Sequence, residues 1–495
     1  MDTAKPVSRG SAELFDPPEW LLPGLLAWAI AAMFLVPSLP RPVTMGLVFN
    51  SMMQHMLHGR FDVDPGAVLA GGEVYLRDGR SYSYFGVFCA LLRLPLIAVG
   101  QANLDITVVS IGCATLLGVA ARVKAVAVAM ENGSAFTRAQ RTLMFAGFAL
   151  SGETIQFLAP SIFQEVISWS AALASVFGLL ALQLCLGKAR SRARLYLALA
   201  AVAGLEFLCR PTFGIGAYLA MTAIFALDLW RSRHRLAARA RALAPAGLLL
   251  ALAAAAVAGV NEARWGNPAT FMPLERAAVM NKQYPDWPPR LKRYGAFNFE
   301  RVPFAVEYYW APAFALRPSD GPPPLTPRER TLFDDVELPV GSPFLSDSFV
   351  VALALVGLLA LARRRSGLPD PSVGGSVLVA LAVPLLLILS LLDLTFRYRM
   401  EFYPALDLAA LCGVNALASR PKPPAAVATA ALAGLAALAL SSSLVLCVVY
   451  RNAPMGPLQD LEFRGGWLRA IVNDHKIPIV RRRHVMPDGS IIYYD

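Results

Sequence analysis

The chain has 495 residues, is 56% hydrophobic and 16% charged, and carries a formal net charge of +11. With a mean hydropathy of +0.51 it is excluded from the water-soluble globular class and reads as an integral membrane protein. The basic excess does not indicate a nucleic-acid partner, because Lys and Arg sit in short clusters between apolar runs rather than along one face.

In chain order, the first nineteen residues are polar, with Asp2, Glu13, Asp16 and Glu19. No cleavable signal peptide is expected there, and the apolar run from Trp20 to Leu39 serves as an uncleaved anchor. A helix needs about 20 apolar residues to cross the hydrocarbon. Runs near 104–121, 142–159, 163–187, 195–209, 212–230, 243–260, 347–362, 375–394, 400–418 and 425–450 follow. The expected fold is therefore an all-α polytopic membrane protein of about eleven transmembrane helices.

Basic clusters at Arg122/Lys124/Arg138/Arg141, Lys188–Arg194, Arg231–Arg241, Arg363–Arg365 and Arg420/Lys422 mark the cytoplasmic side. Residues 84–100 are apolar, but a crossing there would throw the 122–141 cluster outside. Arg93 and Pro95 interrupt the run, so it is expected to lie in or dip into the outer interface. The reading gives a cytoplasmic segment 1–19, a membrane domain 20–450 with long exoplasmic loops 40–103 and 261–346, and a soluble tail 451–495. The 261–346 loop is rich in Pro and aromatics without a helical or strand period, as in a functional lid. The tail reads as a β-hairpin turning at Pro487-Asp488-Gly489, and parity places it outside.

Polar chemistry concentrates on the outer side. Residues 49–60 read as an interfacial amphipathic helix with Phe49, Met52, Met53, Met56 and Leu57 on one face. Asp62 and Asp64 follow it. Either can take a proton from an acceptor hydroxyl, or DVDP is a turn capped by its own carboxylates. Glu165, at the outer start of a span, either favours the helix dipole or faces the same cavity.

Arg397 and Arg399 in FRYRMEFYP suit a lipid phosphate, or else snorkel to headgroups. Arg210 either pairs with Glu206 four residues earlier or lines the lipid entrance. Arg264 with Trp265 offers a cation and an aromatic platform. His55 and His58 lack a third ligand, so no metal site is expected. The six cysteines show no CxxC spacing and read as buried thiols. No phosphate-binding loop, dinucleotide-binding glycine pattern or Gly-x-Ser-x-Gly is present.

Several of these local patterns, HGRFDVDP followed by RDGRSYSYFGVFCALLRLPL, then IFQEVISW, GLEFLCRPTFG, NEARWGNPATF and RYRMEFYPALDLAAL, resemble the GT-C superfamily of integral-membrane glycosyltransferases. The resemblance spans most of residues 20–420 and is nearest the bacterial branch related to aminoarabinose, galacturonic acid and protein mannosyl transferases. It implies an enzyme of the bacterial inner membrane with its active site on the exterior. The donor would be a polyprenyl-phosphate sugar and the acceptor an exoplasmic glycan, lipid or protein. Asp62 or Asp64 would take the first-loop role, with Glu165 as the second-loop acid. Arg397 and Arg399 would hold the lipid phosphate. Read from the residues themselves, Arg210, Arg264, Tyr398 and Tyr84 complete the candidate substrate-binding set. A divalent cation (Mg or Mn) is compatible with this chemistry, but nothing in the sequence requires one. One departure is that residues 40–50, just after the first span, contain no acid, so Glu165 could hold the base role alone. The competing classes are a lipid or solute transporter or flippase, and a noncatalytic glycan-assembly subunit on the same fold.

Overall fold

The computed structural model describes residues 47–68, 74–131, 136–152, 161–188, 191–277, 281, 287–310, 332–333, 342–419, 425–452, 482–485 and 491–494. The expected anchor at 20–39 and the segment 1–19 lie outside the described residues. Among the described residues, six helices are long and apolar enough to cross a membrane, consistent with a polytopic membrane protein.

The first loop opens with α1 (Val48–Leu57). Its burial differs from the expected stripe. The first half, including Asn50 and Ser51, is enclosed, whereas Leu57 is 53% exposed. A hairpin follows, β1 (Tyr75–Arg77) and β2 (Arg80–Tyr82), with Tyr75 opposite Tyr82. Asp78 and Gly79 both have positive φ at its turn, the geometry that Asp-Gly adopts in two-residue hairpins.

The 84–100 stretch forms two short helices, α2 (Phe88–Leu91) and α3 (Leu94–Ala98), joined through Arg93. At four and five residues neither can span a bilayer, which needs about 20. The first loop packs its apolar side chains, among them Val48, Phe49, Met52 and Phe85, against Ile162, Val166 and Cys209 of the bundle.

The bundle is formed by α4 (Thr107–Met130), α5 (Arg138–Ala149), α6 (Ile162–Cys185), α7 (Arg192–Cys209), α8 (Pro211–Arg231) and α9 (Leu236–Trp265). Of the expected span 142–159, the part from 153 onward lies outside the described residues. The described parts of the 261–346 segment include helices that its sequence does not suggest. α9 runs on to Trp265 and stops at Gly266 in the left-handed conformation. Two further helices, α10 (Trp287–Tyr294) and α11 (Val302–Trp310), follow. Pro288 and Pro289 sit in the first turn of α10, where a missing N–H costs little.

The rear of the chain gives α12 (Ser348–Ala362), α13 (Pro371–Leu389), a 3-10 helix Phe396–Phe402, α14 (Tyr403–Ala418) and α15 (Ala425–Asn452). α12 and α14 pack backbone to backbone. A Cβ on Gly357 would stand 1.9 Å from the Ala409 carbonyl oxygen, and one on Gly413 would stand 2.1 Å from that of Leu353. Small residues allow this approach in membranes, where van der Waals contact rather than water expulsion joins helices. In the tail, β3 (Arg482–Val485) pairs antiparallel with β4 (Ile491–Tyr494). The residues expected to make that turn lie outside the described ones.

Candidate functional site

Asp62 and Asp64 form a compact cluster at the end of α1. Asp62 accepts from Nε and Nη2 of Arg60, both at 3.0 Å, and stands 3.3 Å from His55 Nδ1. Asp64 accepts from Ser51 Oγ at 2.7 Å and lies 3.3 Å from His55 Nε2. Burial alone would raise the Asp62 carboxyl. The hydrogen bonds from Arg60 and its own backbone, with the fields of His55 and Arg60, outweigh burial and hold it below the usual aspartate range. Asp62 is thus enclosed and occupied, while the Asp64 side chain is 61% exposed.

Glu165 does not share this cluster. It is fully buried and receives both terminal nitrogens of Arg93, one of them at 2.7 Å. Arg93 also reaches Asn50 at 3.4 Å, and Asn50 donates to the carbonyls of Ala102 and Leu104. The structure thus does not bring Glu165 together with Asp62 and Asp64, as one of its two readings has it. Its charge is spent on fixing the α2–α3 junction to the start of α6. The signal was in the sequence, since an arginine inside an apolar run demands a partner.

The cationic residues divide. Arg210 and Arg397 are half-buried and approach one ring, Tyr398, at 5.2 and 5.4 Å from its centroid. The Arg397 guanidinium also lies 4.8 Å from the Phe163 ring. Phe163 meets Phe85 edge-on at 5.5 Å, and Phe85 lies 4.5 Å from Tyr84. Gly86 holds this aromatic run against the end of α7, because a Cβ there would stand 2.2 Å from the Leu208 carbonyl. Arg264 supports the group from behind, buried and donating to the Phe85 carbonyl at 2.8 Å.

Arg210 does not pair with Glu206. It is the residue before Pro211 and takes extended geometry (φ −145°, ψ 112°), as the proline ring imposes. Its side chain leaves the α7 face and bonds Glu401, which also accepts from Thr212 at 2.7 Å.

Arg399 is 2% exposed and does not reach this surface. It donates to Ser346 Oγ at 2.6 Å and Asp347 Oδ2 at 3.2 Å, and the Tyr403 hydroxyl donates to the same Asp347 oxygen at 2.6 Å. The other Asp347 oxygen accepts from Gly152 N–H at 3.0 Å. One turn further, Asp407 accepts from Ser151 Oγ at 2.9 Å, and Arg122 donates to the Ser151 carbonyl at 2.8 Å. This network ties α4, α5, α12 and α14 together. Arg399, expected to hold a lipid phosphate, is instead found enclosed beside an acid. Asp347, which the sequence reading took only as the first residue of an apolar run, is the acid that encloses it.

Arg397, Arg210, Tyr398, Tyr84 and Arg264 are therefore brought together. Asp62 and Asp64 bond to Ser51, His55 and Arg60, not to that group. Among the described residues, no group of three or more His, Cys, Asp or Glu side chains could hold a metal ion. What the half-buried cluster can do chemically is bind an anion between aromatic rings, with two forked donors at the end of α7 and in the 3-10 helix.

No protein-family model matches the sequence, and no curated protein matches it. Among solved structures, the chain is similar to the archaeal oligosaccharyltransferase AglB from Archaeoglobus fulgidus in complex with an inhibitory peptide and a dolichol-phosphate. That similarity is at 14% identity with a TM-score of 0.46, over 86% of this chain and 56% of that one. It is also similar to the Archaeoglobus fulgidus oligosaccharyltransferase in the apo form, at 14% identity and TM-score 0.48, over 86% and 56% of the two chains. The chain spans little more than half the length of these neighbours, and at a TM-score below 0.5 the likeness decides neither the family nor the activity.

Proposed function

We propose that this chain is a membrane glycosyltransferase that moves a sugar from a polyprenyl-phosphate donor to an acceptor hydroxyl on the exoplasmic face of the cytoplasmic (inner) membrane. The observation that carries the reading is the meeting of Arg210 and Arg397 over Tyr398, half-buried and walled by Phe163, Phe85 and Tyr84. A guanidinium offers a phosphate forked hydrogen bonds, and the rings offer sugar and prenyl carbon an apolar wall.

In this scheme the acceptor oxygen attacks the anomeric carbon as the bond to the lipid phosphate breaks. Arg397 and Arg210 stabilise the charge that develops on the departing phosphate, which is where electrostatic catalysis acts. The acceptor proton goes to a carboxylate. Asp64 is the better candidate of the first-loop pair, because it is exposed while Asp62 is held by Arg60. Arg93–Glu165 and Arg399–Asp347 position the loop and the 3-10 helix that carry these groups.

The test is transfer of radiolabelled sugar from polyprenyl-phosphate donors to membrane acceptors by purified protein in lipid nanodiscs. Asp64→Asn is expected to lower the rate by about 10²–10⁴-fold, the usual range for losing a general base, with donor affinity unchanged. Full transfer by Asp64→Asn removes it as the base, and no transfer by the native chain with any polyprenyl-phosphate sugar removes the reading itself.

A further inference from the structure

Glu206 in α7 is a buried acid that the proposed chemistry does not use. It is 1% exposed, and among the described residues neither of its carboxyl oxygens has a hydrogen-bond partner. It borders a narrow crevice between α6, α7, α8 and α13, which Glu401 also lines. The remaining walls are hydrocarbon, including Phe177, Phe213, Leu381 and Pro384. The cation nearest in sequence, Arg210, is turned away onto Glu401.

A bare carboxylate in such surroundings costs far more than a neutral carboxyl, so something positive must sit on it. A hard metal ion is a poor occupant, since such ions take about six or more oxygens. Here the carboxylates are those of Glu206 and Glu401, and one Glu401 oxygen already accepts from Arg210 and Thr212. A proton needs a single acceptor.

We propose that Glu206 is a proton-binding site whose occupancy sets the partner of Arg210. With Glu206 neutral, Arg210 stays on Glu401 beside Tyr398. With Glu206 ionised, two carboxylates compete for one guanidinium, and Arg210 is drawn inward from the candidate anion cluster. The ionisable groups that face Glu206 are Cys209 on its own helix and Glu401. The residues of α6, α8 and α13 that line the crevice carry none. The part of α9 that packs beside α7, around Ala253, is apolar. The consequence for Arg210 rests on the proposed phosphate role, whereas the proton site does not.

Infrared difference spectroscopy on the full chain in lipid nanodiscs tests the site without any transfer reaction. A protonated-carboxyl band is expected at neutral pH, lost on alkaline titration, unmoved by added sodium and missing from Glu206→Gln. An undiminished band in Glu206→Gln, or its loss on adding sodium at neutral pH, overturns the proton assignment. Inorganic pyrophosphate binding tests the coupling. Wild-type affinity is expected to fall about fivefold or more across the same titration, the low end of usual coupling between sites. Glu206→Gln should bind with the neutral-limb affinity at every pH. A flat wild-type profile overturns the link to Arg210 and leaves the infrared result to stand alone.

Discussion

Arg397 and Arg399 are two residues apart in one 3-10 helix, and the fold sends them into different surroundings. At three residues per turn, two steps rotate the side chain by about 240°. Arg399 is 2% exposed and closed in with Ser346, Asp347 and Tyr403. Arg397 is half-buried over Phe163 and beside Tyr398. The pair teaches that identical chemistry at neighbouring positions divides into scaffold and candidate site by helical phase and by the depth to which each side chain is buried.

The largest expected effect comes from unpairing the enclosed member. Asp347→Ala leaves Arg399 charged without its acid, a change that costs about 3–5 kcal/mol for buried pairs. Thermal unfolding in nanodiscs should show a large fall in midpoint. A midpoint equal to wild type would mean the enclosed pair is not holding α12, α14 and the 3-10 helix together.

The half-buried member should behave differently. Arg397→Ala is expected to lower the midpoint less than Asp347→Ala does, while pyrophosphate affinity drops about 10- to 150-fold, the equivalent of one charged hydrogen bond at about 1.5–3 kcal/mol. Isothermal titration reads this directly. Unchanged affinity with a lowered midpoint would make Arg397 a second scaffold residue and erase the contrast.

The smallest effect sharpens the same contrast among the acids. Asp62 is held below its usual range in the folded chain, so its contribution to stability is present above the unfolded aspartate value of about 3.9 and is lost as pH falls through the lower folded value. Melting followed from about pH 6 downward should decline less steeply in Asp62→Asn than in wild type. Parallel decline would show that Arg60 contributes nothing through this carboxylate.

The helices were legible because apolar runs near the length of a bilayer crossing leave few alternatives, and the break read at Arg93 falls at the junction of the two short helices α2 and α3. The β1–β2 hairpin went unread although Asp78-Gly79 is a strong two-residue turn signal. It stood inside a stretch considered for its charges rather than its turns. The site was legible by residue type and not by partner. Arg210 and Glu206 satisfy the i,i+4 rule in sequence, yet Pro211 takes Arg210 off the helix, and Glu401, 191 residues away, becomes its acid. Glu165 and Arg93 are separated by 72 residues, and no local spacing rule connects them.

α9 holds thirty residues, Leu236–Trp265, which at 1.5 Å per residue is about 45 Å. The hydrocarbon slab is about 30 Å thick. The helix is therefore longer than the oily layer is thick by about 15 Å, and its first two turns carry Arg239 and Arg241. Because the opposite end carries Arg264 behind the Phe85 carbonyl, any leaning or sliding that bilayer thickness imposes on this rod is delivered to the back wall of the arginine–tyrosine cluster. Acyl-chain length is therefore expected to act on that cluster without touching any of its side chains.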